Sequence, residues 1–176
     1  MMTTSAQLTS LADDMAGVLE GLCGIQDRFL AAIEQKLEAM RRCDVSAMSA
    51  ASALEGELAA DASLLDERRC WLAVELSKAL GLQIPPRADS VSLRSLCSRL
   101  DAARGGRLAE VGARLREKML RVAESNRVVD LVCREMMAHF KAMFGAMILA
   151  DESPKTYSHR GAIESRGQVS VLDAVG

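Results

Sequence analysis

The sequence predicts an all-α protein: an elongated antiparallel helical bundle or coiled coil of three long helices plus one short helix, with a flexible C-terminal tail. Three observations predict it. Ala, Leu, Arg, Glu and Met, the strong helix formers, dominate the composition. Aromatic residues make up only 3% and there are three prolines in 176 residues, too few for the strands and turns of a sandwich or barrel. Apolar residues recur at steps of three and four over very long runs. The reading divides the chain into a bundle over 1–153, with helices at about 6–42, 45–80, 93–103 and 107–150, and a tail over 154–176.

In the first helix Leu8, Leu11, Met15, Val18, Leu22, Ile25, Phe29, Ile33, Leu37 and Met40 form one stripe, roughly 50 Å long at 1.5 Å per residue. Gly17, Gly21 and Gly24 weaken it locally, so tertiary packing has to hold it. Arg41 and Arg42 suit the negative end of the helix dipole, and Asp44 is placed to cap the next helix, closing a tight αα-hairpin. The second helix starts thin, rich in Ala and Ser; Leu54, Leu58, Ala62, Leu65, Leu72, Leu76 and Ala79 carry its stripe. Gly81 followed by Leu82 reads as a C-cap with its hydrophobic contact, and Pro85-Pro86 prevents continuation.

Ser92 can cap a short helix with Leu96 and Leu100 turned inward, and Gly105-Gly106 permits a kink or break after it. The last helix has the longest seam: Leu108, Val111, Leu115, Met119, Val122, Asn126, Val129, Cys133, Met136, Phe140, Met143 and Met147. Over about 40 residues this spans roughly 60 Å, the pattern of a coiled coil. Periodicity ends at Pro154. The tail holds scattered charges, Gly161 and Gly167, and an apolar finish through Val169, Val171, Leu172 and Val175, and is expected to be flexible in isolation.

Charge narrows the function classes. Lys plus Arg number 22 against 24 Asp plus Glu, a net charge of −2, and no basic stretch lacks nearby acids. Nucleic-acid binding therefore has no electrostatic footprint. The apolar stretch Ala142 to Ala150 is far shorter than the roughly 20 residues of a membrane span. No Lys or Arg precedes Arg28, and Asp13 and Asp14 interrupt the start, so no secretory signal is expected and the chain reads as cytoplasmic. The five cysteines lie 20, 27, 27 and 36 residues apart without a CxxC, the pattern of reduced thiols and not of disulfides or zinc.

No catalytic constellation emerges, and no metal or cofactor is expected. His139 and His159 are the only histidines and lie 20 residues apart. Asp66-Glu67 beside Arg68-Arg69 reads as a solvated ion-paired face. Glu-x-x-His motifs of a di-iron bundle are absent, and Gly105-Gly106 lacks the lysine of a phosphate loop. Three other features bear on function. Five of the ten methionines fall between Met119 and Met147, and thioethers line surfaces that accept apolar partners of more than one shape. Asn126 is a polar residue at an apolar seam position, a device that fixes pairing. Tyr157, the single tyrosine, stands in the tail, and Tyr is a common anchor in partner pockets.

The order of these parts resembles the FlgN-type flagellar export chaperones. The first hairpin carries it with Leu37 to Asp44, then Glu55-Gly56-Glu57-Leu58 and Leu64-Leu65-Asp66-Glu67-Arg68. Ser92-Leu93-Arg94-Ser95-Leu96 is similar to the family's short segment before its last long helix. More specific is the end: a long helix containing Asn126, a proline, then Thr156-Tyr157-Ser158-His159-Arg160-Gly161. The family's second asparagine, three residues after the first, is Val129 here.

The resemblance implies a cytoplasmic, non-enzymatic chaperone. Its clients would be the C-terminal amphipathic helices of hook–filament junction proteins (FlgK/FlgL-like), kept from associating prematurely and delivered to the flagellar type III export gate. Client contacts are expected at Asn126, Val129, Val132, Met136, Phe140, Met143 and Met147, and docking on the export gate at Tyr157 and Gly161. The alternative is a structural coiled-coil protein without a client, in which the last helix closes against a second copy as a homodimer.

Overall fold

A computed structural model describes residues 3–83 and 91–150; the Pro85-Pro86 stop and everything from Asp151 onward lie outside the described residues. Among the described residues there are four helices and no strand: α1 (Thr3–Arg41), α2 (Val45–Ala79), α3 (Leu93–Cys97) and α4 (Ala102–Ala150). The chain divides into two compact units, Met1–Leu131 and Val132–Gly176.

The first unit begins with a hairpin whose turn is built by hydrogen bonds at both ends. Cys43 takes a left-handed conformation (φ 54°). Its N–H donates to Met40 O and that of Asp44 to Ala39 O at 2.9 Å, which satisfies the last carbonyls of α1. The Asp44 carboxylate accepts from the Ala47 N–H at 2.9 Å and so starts α2. One residue both closes a helix and opens the next. Asp44→Ala should lower stability by about 1 kcal/mol in urea denaturation, the usual worth of an N-cap; no change would show that water replaces the cap at no cost. At the other end of α2 the same geometry recurs with Gly81 (φ 67°). The Leu82 N–H donates to Ser77 O at 2.9 Å, and the Leu82 side chain packs on the core.

Ion pairs give the register. α2 runs back along α1, with Lys36 against Glu55 at 2.7 Å and Arg28 against Asp61 at 3.9 Å. The first part of α4 returns parallel to α1: Arg107 reaches Glu20 at 3.2 Å, and Lys118 pairs with Asp27. α1 is therefore packed on two sides. Its predicted stripe is buried or half-buried throughout, and Ala12, Ala16, Leu19, Cys23, Ala32 and Ala39 widen it. All of these but Leu19 are small and let a second neighbour approach closely. The main core joins Met15, Leu19 and Leu22 of α1, Leu72 and Leu76 of α2, Leu96 of α3, and Leu108 and Val111 of α4. A smaller cluster, Ile25, Ala32 and Leu58, lies nearer the hairpin turn. Ser77, buried among these groups, donates to Ala73 O at 2.8 Å and so costs little.

Two boundaries differ from the expectation. α3 ends at Cys97 and not near 103, and α4 starts at Ala102 and not at 107. Asp101 is the reason: its carboxylate accepts from the Arg104 N–H at 3.0 Å and pairs with the Arg104 guanidinium at 2.6 Å. The backbone bond, with the ion pair second, holds that carboxyl below the usual aspartate range. Gly105-Gly106 consequently lies inside the helix and breaks nothing. Gly105 instead permits contact: a Cβ there would stand 2.5 Å from the Cys97 carbonyl oxygen.

The cysteines are free thiols in different settings: Cys23 buried, Cys43 exposed, the others between. Burial pushes the Cys23 thiol up, only partly offset by Arg114 and Lys118. Alkylation at neutral pH should therefore modify Cys43 first and reach Cys23 only as fast as the bundle opens. Mass spectrometry of a time course decides; equal rates at the two thiols would contradict this packing of α1 against α4.

Candidate functional site

Within the first unit α4 presents a seam one residue away from the predicted one in its middle. The inward residues are Leu108, Val111, Leu115, Lys118, Val122, Ser125 and Val129, whereas Met119 and Asn126 are exposed. Both series obey steps of three and four, so spacing alone does not choose between them. Lys118 can be inward because Asp27 of α1 pairs with it, and its stem covers apolar surface. The reading of Asn126 as a seam residue is thus corrected: it faces solvent, and Ser125 takes the inward place.

The shift leaves Met119 and Leu120 of α4 on the rim of an apolar groove. Its floor is Met15, Leu19 and Leu22 of α1. Ala59, Ala62 and Ser63 of α2 form one lip, and Leu115, Arg116, Met119 and Ala123 of α4 the other. Val91, Leu93 and Leu96 stand at its end, and the groove volume is about 820 Å³. On the α2 lip Asp66 and Arg69 neutralise each other at 2.6 Å. The groove was not anticipated. Its walls are mostly alanines and exposed residues, which periodicity counts as filler.

The described part of the second unit is one helical run, residues 132–150 of α4. Among the described residues of this unit there is no second helix for it to bury against, and its large apolar side chains are open. Met137, Phe140, Met143, Phe144, Met147 and Ile148 are all exposed, the last by 68%. At 100° per residue they occupy an arc of about 140°, wider than the stripe a single packed helix needs. Ala138, Ala142, Gly145 and Ala146 take the opposite side. Lys141 and His139 flank the apolar arc.

The predicted client contacts sort into three groups. Phe140, Met143 and Met147 are exposed together on this arc. Val132 and Met136 are half-buried. Val129 is only 8% exposed and belongs to the buried set of the first unit, so it is not an open contact. Met137, Phe144 and Ile148 were missed; their spacing of seven and four residues, a second helical series beside the first, was the available signal. Tyr157 and Gly161 lie outside the described residues. Among the described residues no group of His, Cys, Asp and Glu could hold a metal ion. No described helix is long and apolar enough to cross a membrane.

An open apolar groove and a bare apolar helix face are surfaces of the kind found on proteins that bind other chains. The family comparison agrees and is specific: the FlgN protein family model matches residues 2–165, and the chain belongs to that family. Membership makes it a flagellar export chaperone, in a family of chaperones and not of enzymes. Searches among curated proteins and solved structures gave no match.

Proposed function

We propose that the chain is a cytoplasmic chaperone for hook–filament junction proteins. It binds their amphipathic C-terminal helices, prevents their premature association and hands them to the flagellar type III export gate. The observation that supports this reading is the bare arc from Met137 to Ile148. Six large apolar side chains held in water on one helix gain by covering a partner's apolar stripe, as in helix-in-groove recognition. Fully burying such a side chain contributes roughly 1.5–3 kcal/mol. Several together, with the matching face of the client, exceed the cost of association by enough for micromolar binding. Methionine suits the task because its unbranched thioether adapts to unlike client helices.

In this reading Phe140, Met143 and Met147 contact the client directly, joined by Met137, Phe144 and Ile148. Val132 and Met136 extend the contact, and Asn126 offers a polar partner. Tyr157 and Gly161 are proposed for the export gate on the family resemblance. Titration calorimetry against the C-terminal helical segment of a junction protein from the same cell tests the reading. Binding at micromolar or tighter affinity, one to one, is the expected result. No binding, together with a stable dimer in light scattering, would replace it with the structural coiled coil.

A further inference from the structure

The groove of the first unit has the shape of an unfinished fourth-helix position. α3 starts that position and ends after five residues. Leu96 of α3 is buried in the main core, and Leu93 lies over Gly112 of α4. Beyond α3, none of the described helices fills the space that the groove occupies between α2 and α4. Along α4 the open part runs from Gly112 to Ala123, about 16 Å or three helical turns. Its lips are built for close approach: Ala59, Ser63 and Ala123 are small and exposed.

Charge indicates which helix fits. Asp66 and Arg69 on one lip satisfy each other. Arg116 on the other lip lines the groove and has no salt bridge among the described residues. The groove therefore offers an apolar floor and one uncompensated cation at its edge. We propose that it seats a partner's amphipathic helix of about three turns, with an apolar stripe and carboxylates along the flank that meets Arg116. This deepens the client-binding reading, on which it rests for the source of the helix: the chaperone holds its partner at a second place besides the arc at Met137 to Ile148.

The test uses the full chain, labelled with nitrogen-15, and two synthetic amphipathic peptides of about fourteen residues. They share one leucine and alanine face; one carries glutamates along its flanks and the other lysines. The glutamate peptide should shift the amides of Ser63, Met119 and Ala123 and bind about tenfold more tightly than the lysine peptide. Arg116→Glu should remove that preference, and Arg116→Lys should keep it. Met119→Glu, at an exposed position that leaves the fold intact, should weaken binding of the glutamate peptide. Equal affinity for the two peptides, or shifts confined to residues 137–148, would overturn the proposal. Because these peptides are not junction-protein sequences, the outcome is separate from the calorimetry. Groove binding without junction-protein binding keeps the groove and rejects the client; the reverse rejects the groove alone.

Discussion

Met143→Asp with Met147→Asp should abolish client binding while the isolated protein keeps its helical content. Both side chains are exposed, 43% and 59%, so neither change disturbs the described core. In the complex each substitution removes an apolar contact and places a carboxylate where the client's apolar stripe lies. Burying an unpaired polar group costs roughly 1–3 kcal/mol or more, in addition to the lost burial. The two together exceed about 3 kcal/mol, more than a hundredfold in affinity. Calorimetry gives the loss and circular dichroism the helicity. Retained affinity with unchanged helicity would remove this face from the binding site, and attention would pass to the groove.

Gly105→Ala and Gly106→Ala should act in opposite directions, although they are neighbours on one helix. At Gly105 the new Cβ would lie 2.5 Å from the Cys97 carbonyl oxygen, a backbone atom that cannot swing aside. α3 must move off α4, and Leu96 with it, for a loss of about 2–4 kcal/mol. At Gly106 the Cβ meets nothing within 4 Å. There alanine replaces the poorer helix former in a helix interior and should gain up to about 1 kcal/mol. Denaturation midpoints of the two variants against the parent give the answer directly. Equal destabilisation would mean that the close approach of α3 to α4 is wrong. If Gly105→Ala also weakened the glutamate peptide in the groove, α3 would be confirmed as that groove's end wall.

The all-α class, the hairpin around Asp44, the Gly81 cap and the course of α1 were legible in the sequence. Each rests on local rules: helix propensity, a capping oxygen, a residue able to adopt positive φ, and a stripe recurring every three or four residues. The family was legible in the order of short motifs along the chain, among them Leu64 to Arg68 and Ser92 to Leu96. Phe140, Met143 and Met147 were legible as one apolar stripe because large side chains dominate any periodic count.

Only the tertiary structure decided which of two equally spaced series on α4 turns inward. Lys118 and Ser125 won over Met119 and Asn126 because Asp27 stands on α1 where it can pair with Lys118. Val129 is covered for a similar reason, its place on the inward side of the first unit. The same holds for Gly105, which reads as a break in sequence and is a contact in space. The groove between α2 and α4 depends on how far three helices stand apart, and that distance is set by alanines and glycines whose spacing carries no hydrophobic signal. Local rules determine which segments become helices; which side of each helix meets another, and where a gap remains between them, follows from residues about 90 positions apart along the chain, a range that no local periodicity reports.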